Sequence, residues 1–194
     1  MNKKKIKFAT SNPHKVKEAN FIGEKYGIEF IQIHIEYPEI RHEDVEVVAK
    51  KGVEYVFSKI KEAVIVEDTG LYIEALNGFP GAYSAFVFRK IGNSGILKLL
   101  SGVPKNERRA FFKSSVAFSD GKIVKTFNGV LQGRIAEEER GCEGFGYDPI
   151  FIPLGYEKTL AEIPALKAEI SHRAQAFRNF CEWFSKAVLS AQQS

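Results

Sequence analysis

The chain lacks most of the features that would set it apart from ordinary globular proteins. Cysteine is scarce: Cys142 and Cys181 are the two present among 194 residues. That excludes a disulfide framework and suits a reducing, cytoplasmic compartment. No apolar run approaches the roughly 20 residues that a membrane-spanning helix needs. Behind the basic start Met1-Asn2-Lys3-Lys4-Lys5, the stretch Ile6–Ala9 is far too short for the core of a signal peptide. Internal repeats, low-complexity segments and Pro/Gly/Ser-rich linkers are also missing, so 1–194 is read as a single domain. Charge of one sign is not in large excess either. Twenty-eight Lys and Arg against 24 Asp and Glu leave +4, compatible with anionic ligands but too little to argue for DNA or RNA binding. The histidines and cysteines show no zinc-ligand spacing, and no Ser/His/Asp or Cys/His nucleophile pattern occurs. What is present is an ordinary globular balance, 44% hydrophobic and 27% charged. A chain of this size buries about 70% of its unfolded surface and needs no staple.

The hydrophobic pattern interleaves strands with helices. Ile6–Ala9 reads as a buried strand. A helix then runs to about Tyr26, with Asn12 as its N-cap, Pro13 in its first turn and Gly27 as its stop. Residues 28–35 alternate, with Ile31, Ile33 and Ile35 on one face. After an acidic loop (Glu36, Glu39, Glu43, Asp44), Val45, Val48, Ala49, Gly52 and Val56 recur at helical spacing. Ala63–Val66 reads as a short strand ending at Glu67-Asp68-Thr69-Gly70. Gly78-Phe79-Pro80-Gly81 reads as a loop, and a short helix is expected near Ile96–Leu100. Phe112–Phe118 and Lys122–Leu131 flank Asp120-Gly121, a hairpin signal. A last helix from Ser171 to about Leu189 carries the stripe Ala174, Phe177, Cys181, Phe184 and Val188, with Cys181 as a buried thiol. The fold class is therefore α/β, with a mixed central sheet flanked by helices.

Four constellations can carry chemistry. Thr10-Ser11-Asn12-Pro13-His14-Lys15 opens a helix, where free N–H groups and the dipole favour an anion and Lys15 adds a full charge. It is not a Walker loop, because its glycines are missing. Glu67 and Asp68 follow a strand on opposite faces, so one acid can reach a metal while the other orients a partner. Glu36 and Glu39 are further acids available to the same ion, and Mg²⁺ takes carboxylate oxygens together with phosphate and water. In Gly144-Phe145-Gly146-Tyr147-Asp148-Pro149, glycines beside aromatics let the backbone approach a flat ligand while a ring stacks on it. Grouped with Lys167 is Ser171-His172-Arg173, in which Ser171 can cap the last helix and His172 and Arg173 fall in its first turn, where the dipole disfavours cations unless an anion or an acceptor-rich ligand is near. Each motif has an ordinary reading too: a capped helix, a polar strand end, a tight turn, a surface pair.

These segments occur together and in order, along with Gly78-Phe79-Pro80-Gly81, and over essentially the whole chain the sequence resembles the inosine triphosphate pyrophosphatase family. The resemblance implies an elongated α/β fold of two lobes with the nucleotide in the cleft between them. It also implies a homodimer, a Mg²⁺ requirement, and hydrolysis of ITP, dITP and XTP to monophosphate plus pyrophosphate. Position by position, it implies that Thr10, Ser11, Asn12, Pro13, His14 and Lys15 cradle the triphosphate and that Lys51 is a phosphate-side lysine. Glu39 and Asp68 match metal ligands, Asp68 also the proton acceptor, and Thr69 a substrate contact. Phe145, Gly146, Tyr147 and Asp148 match the base-binding segment, and Lys167, His172 and Arg173 the donors around the purine. The chain departs from some relatives in having Ser84-Ala85-Phe86 where a lysine occurs and Tyr147 where others carry tryptophan.

The chemistry implied is electrostatic. A triphosphate carries about four negative charges and repels an anionic nucleophile. Metal at Glu39 and Asp68 neutralises the leaving pyrophosphate, Glu67 or Asp68 takes a proton from the attacking water, and Lys15 and Lys51 stabilise the transition state. A 6-keto purine satisfies the donors Lys167, His172 and Arg173, whereas a 6-amino group meets donor with donor, at a cost of about 1–3 kcal/mol each. Two other readings compete: a pyrophosphatase for modified pyrimidine nucleotides, and a non-catalytic single-strand nucleic-acid-binding module. The expected partner is thus a purine nucleotide, with neither nucleic acid nor membrane involved.

Overall fold

The apolar segment behind the basic start forms β1 (Lys4–Ala9), which pairs in parallel with β2 (Ile28–Ile33) and with the beginning of β3 (Val64–Ile73). The structure is a computed structural model and describes residues 3–38 and 40–192, without the side chains of 188–192. Among those residues, β4 (Pro80–Gly81) pairs antiparallel with β3, and the sheet continues through β5 (Arg109–Ser119), β6 (Val124–Ile135) and β7 (Phe151–Pro153) in the order β2-β1-β3-β5-β6-β7. β6 and β7 are antiparallel, so the sheet is mixed. Parallel neighbours require crossovers, supplied by α1 (Pro13–Gly23) and α2 (Val45–Ile60). Three further helices follow: α3 (Ser84–Leu99), α4 (Pro164–Ile170) and α5 (His172–Gln192).

The chain forms two compact units. The first comprises Met1–Asp68, Ser114–Gly129 and Arg173–Ser194; the second comprises Thr69–Lys113 and Val130–His172. In the first unit, strand alternation sorts the apolar residues onto two faces. Phe8, Phe30 and Ile65 pack with Ile22 of α1 and with Phe177 and Phe180 of α5, while Ala9, Val64 and Val66 pack with Ala49, Val53 and Val56 of α2. The core of the second unit gathers Leu71, Ile73, Ile96, Phe112, Tyr147 and Phe151.

Several expectations hold. The Asn12 side chain accepts from the backbone N–H of His14, Pro13 opens α1, and Gly27 ends the following turn in the left-handed region at φ 66°. The Asp120-Gly121 hairpin joins β5 and β6, with Asp120 accepting from the N–H groups of Lys122 and Ile123. On α5, Ala174, Phe177 and Cys181 are buried and Phe184 packs against them, while the Val188 side chain lies outside the described residues. Burial, assisted by Glu182, pushes the Cys181 thiol up to about 12. Both cysteines are free.

Other expectations are corrected. β2 ends at Ile33, though Ile35 still packs on the α2 side. β3 does not stop at Val66. It runs on through Glu67-Asp68-Thr69-Gly70 to Ile73, because Leu71 and Ile73 are buried in the second core and Leu71 and Tyr72 pair with β4. The helix expected near 96–100 is the end of the longer α3. Its periodicity is broken at Gly92, where φ 62° and ψ −165° interrupt the helical path. α4 was not expected. Its seven residues are too few to show a period, although Pro164 marks its first position.

Candidate active site

Strand alternation determines where the two acids go. Glu67 shares a face with Ile65, the side of α1 and α5, and Asp68 faces the side of α2. The Glu67 side chain is 0% exposed. Lys15 of α1 reaches its Oε2 at 2.8 Å and its backbone carbonyl at 3.2 Å. Arg173 of α5 donates from Nε to Oε1 at 3.2 Å, and Ser114 of β5 donates to the same oxygen at 2.5 Å. Arg173 also donates to Glu18 of α1 at 2.7 Å. Burial, the largest single influence, pushes the Glu67 carboxyl up. Arg173, Lys15 and the hydrogen bonds outweigh it and hold the group well below the usual carboxylate range. Asp68, one residue on, is half-buried.

The loop leading into α1 stands beside this cluster in the sequence and is tied down locally. The Thr10 hydroxyl accepts from the N–H of Asn12 at 3.1 Å, and Gln32 donates to the Thr10 carbonyl at 3.0 Å. Ser11, Pro13 and His14 are exposed, as an anion-facing loop requires. Lys51 is not brought to the cluster: it lies exposed on α2 and pairs with Glu54 at 2.8 Å. Glu39 lies outside the described residues, and Glu36 is exposed in the loop before α2.

The second unit holds the other expected residues. Asp148 is buried and accepts from the Phe145 N–H at 2.8 Å and from Lys167 at 2.6 Å. The Lys167 ammonium lies 4.4 Å from the centre of the half-buried Phe145 ring. Tyr147 is buried, donates to the Ser84 carbonyl at 3.0 Å, and meets Phe88 edge-on, so its ring is part of the core. Burial raises its phenol. The His172 ring stacks on Phe112 at 4.5 Å. Thr69 is half-buried on β3.

Cations at the start of α5 signalled an anion nearby. Part of that anion is internal, because Glu67 and Glu18 answer Arg173. Glu18 and Ser114 were not singled out from sequence. Glu18 lies one turn beyond Lys15 on α1, a spacing at which helix neighbours meet. Ser114 is a polar interruption of an apolar strand. Asn93, buried on α3, was also missed.

The chain as a whole is similar to known proteins. The chain matches the Ham1 family over residues 6–183. A dITP/XTP pyrophosphatase of Pyrococcus horikoshii is 53% identical over 182 residues, covering 92% of this chain and 96% of that protein. One of Methanopyrus kandleri is 50% identical over 186 residues, covering 95% and 98%. The Staphylococcus aureus Ham1 protein has a structure that superposes with a TM-score of 0.81 at 28% identity, covering 95% of this chain and 100% of its own. A HAM1 protein from Coxiella burnetii gives 0.79 at 28% identity, covering 96% and 99%. With a match over most of its length and relatives at half identity from end to end, this chain belongs to the Ham1 family.

Proposed function

We propose that the protein hydrolyses deaminated purine nucleoside triphosphates, ITP, dITP and XTP, to the monophosphate and pyrophosphate with the help of Mg²⁺, and so clears them from the nucleotide pool. The observation that carries this reading is half identity over nearly the full chain to two proteins named dITP/XTP pyrophosphatase. The family resemblance adds a homodimer working in the cytoplasm.

The geometry supports a division of labour. The Thr10–Lys15 loop and Lys15 itself serve the triphosphate, with the exposed N-terminus of α1 supplying N–H groups and dipole. Phe145 serves the base by stacking, and Lys167 and His172, in the same unit, supply donors that a 6-keto oxygen satisfies. Arg173 orders Glu67 through their ion pair. Lys51 is a secondary phosphate lysine that has Glu54 as its resting partner.

Glu67 is held ionised by two cations and a hydroxyl, which makes it a poor proton acceptor. The family resemblance gives the role of proton acceptor to Asp68. Water attacks the α-phosphorus, its proton passes to the Asp68 carboxylate, and the bond to the bridging oxygen breaks with its electron pair leaving on pyrophosphate. Asp68 also suits Mg²⁺, since a carboxylate is a hard oxygen donor. Among the described residues no group of three acids, histidines or cysteines could hold an ion alone. When bound, Mg²⁺ supplies neutralisation of phosphate charge.

Pyrophosphate release from ITP, dITP, XTP, GTP, ATP and dUTP, with Mg²⁺ and with EDTA, tests the proposal. Turnover confined to the deaminated purines and lost in EDTA is expected. Preference for dUTP would favour the pyrimidine reading, and salt-sensitive single-strand binding without turnover would favour the nucleic-acid module.

A further inference from the structure

α3 is two helical pieces joined at Gly92, whose φ of 62° takes the chain off the helical path. A Cβ there would meet nothing within 4 Å, so the backbone angle, rather than space, calls for glycine. The next residue, Asn93, is 7% exposed. Its Nδ2 lies 3.2 Å from Glu139 Oε2 and 3.2 Å from the carbonyl oxygen of Gly146. Two acceptors at one end of the amide fix which end is nitrogen. Among the described residues its oxygen has no donor. A buried amide half satisfied in this way stabilises the fold poorly, so its two donated bonds are the reason to place it there.

Those bonds fall on the loop that presents Phe145. The Asp148 carboxylate fixes the N–H of Phe145, and the Tyr147 hydroxyl fixes the far side of Gly146 to Ser84, in the first piece of α3. Asn93, in the second piece, takes the carbonyl between them. We propose that Asn93, turned out of the helical path by Gly92, is a positioning residue that sets the Phe145-Gly146 segment for the nucleotide base and thereby sets affinity for the substrate without touching the phosphate chemistry. This rests on the reading of Phe145 as the base platform.

The test compares Asn93→Ala and Asn93→Asp with the parent. Alanine removes the donors and leaves a small void. Aspartate keeps the shape but sets an acceptor against Glu139 and the Gly146 carbonyl. If Asn93 merely fills space, alanine is the worse substitution. If it positions the loop by donating, aspartate is. The expected result is a KM for ITP raised about tenfold in Asn93→Ala and more in Asn93→Asp, with kcat within about twofold and the same order for IMP affinity by calorimetry. Inhibition by tripolyphosphate, which has no base, should stay within about twofold of the parent. Parent-like KM and IMP affinity in both variants, the reverse order, or an equal loss of tripolyphosphate binding would overturn the proposal. Failure of the functional reading looks different: the parent itself would not turn over ITP, and IMP affinity would still decide the role of Asn93. A parent that binds no IMP would sink both.

Discussion

Replacing Glu67 by Gln is the sharpest test of the buried ion cluster. The change keeps the shape and removes one charge. In the parent, the carboxylate faces Lys15 at 2.8 Å, Arg173 at 3.2 Å and the Ser114 hydroxyl at 2.5 Å, with no exposure of its own. Breaking one partner of a buried pair costs about 3–5 kcal/mol. Two features pull the figure to the lower end. Arg173 keeps Glu18 at 2.7 Å, and the Lys15 side chain, 19% exposed, still reaches water and the residue-67 carbonyl. A loss of about 3 kcal/mol lowers Tm by about 6–12 °C in a domain of this size. Acid supplies the control. In the folded protein Glu67 sits well below its ordinary value of 4.5, pushed up by burial but pulled further down by Arg173 and Lys15. A depressed folded value means that the unfolded chain takes the proton first. The contribution is therefore complete above the ordinary value and lost as pH falls below it. Glutamine has nothing to lose there, so the gap between parent and variant should narrow from pH 7 to pH 4 and narrow further below. Thermal unfolding followed by circular dichroism at several pH values measures it. Equal stability at pH 7, or a gap that does not shrink in acid, would refute the argument.

In Asp68→Asn, which keeps the side-chain shape, pyrophosphate release from ITP should fall at least ~100-fold; activity near that of the parent would remove Asp68 from the chemistry. Lys15→Ala should lower kcat/KM for ITP and ATP by similar factors, and Phe145→Ala should cost roughly one stacking contact, about 1–3 kcal/mol; a change of the ITP/ATP ratio in Lys15→Ala would contradict the assignment of Lys15 to phosphate. Gly70→Ala would bring a Cβ to 2.7 Å from the Gly81 carbonyl oxygen and from the Tyr72 ring, so a loss of about 1–3 kcal/mol is expected in urea unfolding.

Much of this was legible in the sequence because it is local. Asn12 and Pro13 open α1 and Gly27 ends the turn that follows it, through contacts within a few residues, and Asp120-Gly121 makes its hairpin the same way. The ordered motifs placed the chain in its family, since spacing along a chain survives without coordinates. Alternation even put Glu67 and Asp68 on opposite faces. Partners were another matter. That Arg173 meets Glu67 across 106 residues, that Ser114 joins them, and that Tyr147 turns its hydroxyl to Ser84 across 63 residues follow from how strands and helices stack. Whether a strand ends or continues at Glu67-Asp68-Thr69-Gly70 was decided by burial of Leu71 and Ile73 in a second core. A charge written in the sequence states only that a partner is needed. Which partner it finds, another side chain or a ligand, is settled by packing, because the cost of burying that charge depends on every element that surrounds it.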